Sequence, residues 1–175
     1  MKKKINNKSK TALFLFPGQG SQYKGMGLDI LEKFPKLKTF YDISSDILEY
    51  DILNIIKNDD EKLNQTLYTQ PAIFIDSIIK ETLLLANNIF PNAVAGHSLG
   101  EYSALVSSNV LSFEDALKII KVRALKMQNA GNENPGGMLA IIGANKNQIK
   151  EICDQGDILV AANYNAPEQI VLSGD

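Results

Sequence analysis

The sequence has 175 residues, of which 45% are hydrophobic and 22% are charged, the balance of an ordinary globular protein. Its formal net charge of −2 gives no reason to expect a nucleic acid or a membrane as partner. The sequence contains one cysteine, Cys153, which excludes an internal disulfide bond and fits a reducing compartment.

Residues 1–10 are predicted to form a basic tail. They read MKKKINNKSK, and only a short apolar run separates them from Pro17 and Gly18. That run is too short for the hydrophobic region of a signal peptide or for a membrane span. We therefore expect a solvated tail and a cytoplasmic location; the alternative is a remnant of an organelle-targeting sequence.

Residues 11–133 have the pattern of an α/β core. The continuous apolar run at 11–16 is stopped by Pro-Gly, which predicts a strand buried on both faces. Apolar residues at helical spacing predict a helix over 37–48. Pro71 is expected in the first turn of the next helix, where its missing N–H costs no hydrogen bond.

The same core continues through a second strand and two more helices. Residues 92–96 favour a short strand, and residues 99–106 favour a helix directly after it. Ser112 and Asp115 resemble a capping box, which predicts a helix from there to about Ala130.

The stretch GNENPGG, at 131–137, predicts a domain boundary, and residues 134–175 follow as a separate subdomain. Its pattern is a strand (MLAIIG), a helix near 147–153 and two strands (ILVAANY and QIVLSG). This order opens a split β-α-β unit without the closing helix and strand. We therefore expect an incomplete subdomain.

Gly96 to Gly100 match the pattern G-x-S-x-G, with a predicted strand before it and a predicted helix after it. This is the setting of a nucleophile elbow, in which Ser98 occupies a sharp strand-to-helix turn. The helix N-terminus then offers free N–H groups and positive dipole charge to a developing oxyanion. The alternative is a turn serine that caps a helix.

The first predicted strand ends in a glycine-rich turn, FPGQGSQ, which has glycines on both sides of Gln19. Ligands bind at the carboxyl ends of parallel strands, so this turn and the elbow are expected to face one crevice. The turn lacks the lysine and serine of a phosphate-binding P-loop. The alternative is a plain connection between a strand and a helix.

Arg123 is the only arginine among 18 basic residues. A lysine-rich composition that keeps one guanidinium indicates a site that needs its planar, bidentate fork. Its helical neighbours are apolar, so Arg123 is a candidate to bind a carboxylate in a pocket. The alternative is an arginine whose charged end reaches solvent.

His97 is the only histidine and directly precedes the candidate nucleophile. Adjacent side chains on an elbow point in different directions, so His97 is a poor candidate for the general base of Ser98. Glu101 is better explained as a first-turn carboxylate that stabilises its helix.

Together these residues resemble the malonyl-CoA:acyl carrier protein transacylase family. The resemblance rests on FPGQGSQ, TQPA at 69–72, GHSLGEYSAL from residue 96, KVRALKMQ and GGMLAIIG, in this order. It implies an α/β-hydrolase-like parallel-sheet core at 11–133 and an incomplete ferredoxin-like subdomain at 134–175.

The resemblance also implies chemistry and site residues. Ser98 would take a malonyl group from malonyl-CoA and pass it to the phosphopantetheine thiol of acyl carrier protein, in fatty acid biosynthesis. The N–H groups of Gln19 and Leu99 would form the oxyanion hole, and Arg123 would bind the malonyl carboxylate. No metal or redox cofactor is implied.

Members of this family continue beyond the region matched here and supply a catalytic histidine from that part. We therefore expect this chain to be an N-terminal part that lacks its general base and has almost no turnover alone. Two alternatives remain open: an esterase on the same core, and a catalytically inactive module that binds acyl carrier protein.

Overall fold

The computed structural model describes residues 11–155 and 158–174, so the predicted basic tail lies outside the described residues. The fold is mixed α/β and divides into two compact units, one ending at Gln128 and one beginning at Asn129. The first unit contains a parallel pair of strands, and the second contains a three-stranded antiparallel sheet.

The first unit packs helices and two strands around one central helix. Its strands are β1 (Leu13–Phe16) and β2 (Ala93–Gly96). Its helices are α1 (Leu28–Lys33), α2 (Lys38–Leu48), α3 (Ile52–Asn58), α4 (Asp60–Leu63), α5 (Thr66–Ala86), α6 (Gly100–Ser107) and most of α7 (Phe113–Glu133). The helices predicted over 37–48 and 99–106 and the strand predicted over 92–96 are confirmed to within about a residue.

The second unit pairs its strands in the order β3-β5-β4. The elements are β3 (Gly137–Ile142), α8 (Lys146–Cys153), β4 (Leu159–Ala166) and β5 (Gln169–Gly174), which confirms the predicted strand, helix, strand, strand. Helix α8 begins with a capping box of Asn145 and Gln148. Its Ile149 packs with Ile170 and Leu172 in a small core.

Strand β1 is buried on one face only, so the predicted burial on both faces is wrong. Phe14 and Phe16 are buried, whereas Leu13 and Leu15 are 57% and 69% exposed. Successive side chains of a strand point to opposite faces. The described residues cover only the face that carries the two phenylalanines.

Helix α5 forms the centre of the first unit. All of its residues from Thr69 to Ile79 are buried, as expected for a helix that packs against neighbours on every side. Phe74 of α5 stacks on Phe113 with the ring centroids 5.3 Å apart, and Phe113 meets Phe40 edge to face.

No helix in the described part of the chain is long and apolar enough to cross a membrane.

The expected position of Pro71 is wrong, because α5 begins at Thr66 and Pro71 lies inside the helix. Proline has no N–H to donate to the carbonyl four residues earlier, which here belongs to Leu67. The hydroxyl of Tyr50 donates to that carbonyl instead, at 3.2 Å. A hydroxyl from outside the helix thus replaces the missing helical hydrogen bond.

This replacement leads to a prediction for the Tyr50→Phe variant. The substitution keeps the aromatic ring but leaves the Leu67 carbonyl without its donor, so the free energy of unfolding should fall by about 1 kcal/mol. Urea unfolding measures the loss. In a Pro71→Ala background, where residue 71 regains its N–H, the same substitution should cost much less; an equal cost in both backgrounds would contradict the assignment.

Candidate active site

Ser98 occupies a sharp turn between β2 and α6. Its φ is 53°, in the left-handed region that residues other than glycine rarely adopt. Before the turn, the His97 N–H donates to the Phe16 carbonyl at 3.0 Å, which extends the pairing of β2 with β1. After it, the Gly100 N–H donates to the His97 carbonyl at 2.9 Å. The turn leaves the Ser98 side chain exposed.

Two glycines of this motif are required by close contact between backbones. A β-carbon at Gly96 would lie 2.1 Å from the carbonyl carbon and oxygen of Gly100. A β-carbon at Gly100 would lie 2.1 Å from the carbonyl oxygen of Phe16. No side chain fits at either position, so the start of α6 packs directly on the ends of both strands.

The FPGQG turn lies against the elbow through Gly18. A β-carbon at Gly18 would lie 2.6 Å from the His97 carbonyl oxygen and 2.9 Å from its Nδ1. The turn is closed by its own side chains: Ser21 Oγ donates to the Gly18 carbonyl, and the Gly20 N–H donates to Gln22 Oε1, both at 2.8 Å. The side chain of Gln19 donates to Thr66 Oγ1 at 3.0 Å.

The backbone N–H groups of Gln19 and Leu99 have no acceptor among the described residues. Leu99 directly precedes α6, so its N–H belongs to the group of free donors at a helix N-terminus. The partial positive charge at that end of a helix favours an anion beside it.

Arg123, on α7, reaches the hydroxyl of Ser98. Its Nη2 donates to Ser98 Oγ at 3.1 Å, and its Nη1 donates to Oε1 of Gln70. The guanidinium carbon lies 5.8 Å from the ring centroid of Tyr102, within the range of a cation–π contact. The only arginine of the sequence is therefore held beside the candidate nucleophile rather than extended into solvent.

Gln70 is a site residue that the sequence analysis missed. It is fully buried on α5, accepts from Arg123 and donates through Nε2 to Met127 Sδ at 3.2 Å. Its amide thus fixes one end of the guanidinium from inside the core. The sequence does contain one signal for this role. Gln70 is a polar amide just before Pro71 and the apolar run that follows, and a polar side chain buried there needs a hydrogen-bond partner.

His97 is exposed, and its ring lies against Gly18, whereas the hydroxyl of Ser98 bonds to Arg123. The exposed Glu101 lies in the first turn of α6. Among the described residues, no three or more His, Cys, Asp or Glu side chains are grouped so that they could hold a metal ion.

Comparison with known proteins matches residues 13–175 to the family described as the acyl transferase domain. The malonyl CoA-acyl carrier protein transacylase of Bacillus subtilis is 40% identical over 166 residues, which cover 92% of this chain and 52% of that protein. The chain therefore spans about half the length of the curated relatives it matches.

Solved structures give the same result. MCAT from Streptococcus pneumoniae superposes with a TM-score of 0.85 at 43% identity, over 95% of this chain and 55% of that chain. A second match is a malonyl-transacylase, PlMCAT, in complex with AntF, a type II PKS acyl-carrier protein. It has a TM-score of 0.87 at 37% identity, over 94% of this chain and 55% of that chain.

The glycine contacts lead to a prediction for alanine substitutions in two helices. Gly100→Ala forces a methyl group against the Phe16 carbonyl and should lower the free energy of unfolding by about 3 kcal/mol or more. Gly131→Ala, inside α7 and with open space around it, should raise that free energy by about 0.5–1 kcal/mol. Urea unfolding of both variants measures the two changes in free energy. Similar changes for the two variants would argue against close packing at the elbow.

Proposed function

The chain belongs to the acyl transferase domain family, and we propose that it carries the nucleophile of a malonyltransferase. In this proposal a malonyl group passes from malonyl-CoA to Ser98 and then to the phosphopantetheine thiol of acyl carrier protein, in fatty acid biosynthesis. The observation that carries the proposal is the 3.1 Å hydrogen bond from Arg123 to Ser98 Oγ, because it sets a carboxylate-binding cation beside a nucleophile on an elbow.

In the first step, Ser98 Oγ attacks the thioester carbonyl of malonyl-CoA and gives up its proton to a general base. The carbonyl oxygen becomes an oxyanion, which the N–H groups of Gln19 and Leu99 stabilise. The bond from carbon to sulfur then breaks, coenzyme A leaves as the thiol, and Ser98 carries the malonyl ester. The two N–H groups have no acceptor among the described residues, which supports this assignment.

Arg123 binds the free carboxylate of the malonyl group. Gln70 holds Nη1 from the buried side, so the other donors of the planar fork stay directed toward Ser98. A pocket with a fixed guanidinium prefers acyl groups that end in a carboxylate. This contact separates the proposal from an esterase on the same core, which has no use for the cation.

The general base is proposed to be a histidine outside these 175 residues. Arg123, which bonds to the Ser98 hydroxyl, is a cation without an acceptor and cannot take its proton. His97, the single histidine of the sequence, lies with its ring against Gly18.

In the second step, the thiol of phosphopantetheine attacks the malonyl ester, and the released Ser98 hydroxyl recovers a proton. The mechanism is ping-pong, because coenzyme A leaves before the carrier protein reacts. Acyl carrier protein is the proposed partner; the PlMCAT relative is solved in complex with one.

We extend the proposal to the fold. The parallel pair β1–β2 with its elbow fits an α/β-hydrolase-like core. The sheet β3-β5-β4 with α8 on it fits part of a ferredoxin-like subdomain.

Incubation with malonyl-CoA should attach one malonyl group to the chain, on Ser98. Without the proposed base the reaction should be slow but measurable, since an oxyanion hole and substrate binding alone retain roughly 10³–10⁴-fold acceleration over water in a serine protease. Intact-mass measurement and peptide mapping identify the modified residue. Label on another serine, or undiminished label in Ser98→Ala, would refute the nucleophile; carrier protein binding without any acylation would favour an inactive binding module.

The Arg123→Ala variant should lose malonyl transfer selectively. Removing one partner of a buried charge pair costs about 2–5 kcal/mol, so the initial rate of Ser98 acylation by malonyl-CoA should fall by roughly thirty-fold to several thousand-fold. Acetyl-CoA lacks the carboxylate, so its rate should change little or rise. Arg123→Lys, which keeps the charge without the fork, is the matched control and should lie between. Equal losses with both thioesters would mean that Arg123 is structural.

A further inference from the structure

Tyr41 and Asp76 each place a buried oxygen beside Gly27 that has no hydrogen-bond partner among the described residues. Tyr41 on α2 is 1% exposed and Asp76 on α5 is 5% exposed. Neither Tyr41 Oη nor Asp76 Oδ1 has a hydrogen-bond partner among the described residues. Buried hydroxyl and carboxylate oxygens are almost always bonded to protein or to ordered water, so these two oxygens require a partner that the described side chains do not supply.

The two oxygens converge beside Gly27. A β-carbon at Gly27 would lie 2.7 Å from Tyr41 Oη and 2.9 Å from Asp76 Oδ1. Both oxygens therefore face the same side of the Gly27 backbone, where the missing side chain leaves them room. Gly27 also has a φ of 75°, which other residues rarely adopt.

The remaining contacts fix the direction of the carboxylate. Asp76 Oδ2 accepts from Lys80 Nζ at 2.6 Å, which leaves Oδ1 turned toward Gly27. Asp29 and Tyr23 are the other titratable groups close to this cluster. Burial, followed by the charge of Asp76, raises the pKa of Tyr41, so its hydroxyl keeps a proton to donate at neutral pH.

We propose that one buried water molecule bridges Tyr41 Oη and Asp76 Oδ1 beside Gly27. Tyr41 donates to the water oxygen, and the water donates to Asp76, so both unpartnered atoms gain a hydrogen bond. A metal cation fits less well, because it would bind the oxygen lone pairs and leave the Tyr41 hydrogen without an acceptor. The water joins α2 and α5 at the segment that leads from the FPGQG turn into α1.

A crystal structure of this chain at high resolution tests the site directly. We expect a density peak within hydrogen-bonding distance of both oxygens. Crystals soaked in rubidium salt provide the control, because rubidium scatters anomalously and water does not. An anomalous peak at the site would show that a monovalent cation, and not water, occupies it, which would overturn the proposal. A direct hydrogen bond between the two side chains, with no density peak between them, would also overturn it.

Urea unfolding in solution tests whether Tyr41 Oη and Asp76 Oδ1 both lie beside Gly27. Gly27→Ala and Gly25→Ala remove glycines with similar φ, 75° and 78°, but a β-carbon at Gly25 meets only Leu28 at an ordinary 3.6 Å. Gly27→Ala should therefore lower the urea midpoint more. In a background with Tyr41→Phe and Asp76→Ala, this difference should disappear. Equal midpoints for the two glycine variants in the unmodified chain would show that the oxygens do not meet there.

Discussion

The contact between the backbone of α6 and the ends of β1 and β2 is the constraint on which the candidate site depends. Gly96 and Gly100 allow these three segments to meet without intervening side chains. The change of direction from strand to helix is confined to Ser98 and its neighbours. The positive φ of Ser98 is the backbone strain that this sharp turn requires. The same geometry exposes Ser98 and leaves the Leu99 N–H, just before the helix, without an acceptor among the described residues.

Helix α5 connects this constraint to the rest of the first unit. Because it is buried on every side from Thr69 to Ile79, each polar residue in it needs a partner on a neighbouring segment. Gln70 accepts from Arg123 and donates to Met127. The Leu67 carbonyl, which Pro71 leaves without a helical donor, accepts from Tyr50. The hydrogen bonds that satisfy the core therefore also hold the guanidinium in place beside Ser98.

Most features specified by neighbours in the sequence could be predicted, and some features specified across the fold could not. The strand, Ser98 and the helix after it depend on an apolar run and two glycines within a few residues. The start of α7 depends on Ser112, whose Oγ accepts from the Asp115 N–H, as in a capping box, and donates to the Asp115 carboxylate. The place of Pro71 inside a helix depends on the hydroxyl of Tyr50, which lies seventeen residues before Leu67, the residue whose carbonyl it bonds. The exposure of Leu13 and Leu15 depends on which elements cover the sheet, which no local pattern records.

The bond between Arg123 and Ser98 also bears on how the proposed enzyme would select its substrate. A serine whose oxygen accepts from a guanidinium has one lone pair fewer to offer an incoming carbonyl. A malonyl carboxylate is a stronger acceptor than a hydroxyl, so it would draw the donor away from Ser98 and release the nucleophile. An acyl group without a carboxylate would leave that bond intact. In this account, one exchange of hydrogen bonds both recognises the substrate and activates the serine, and Gln70 keeps the guanidinium within reach of both acceptors.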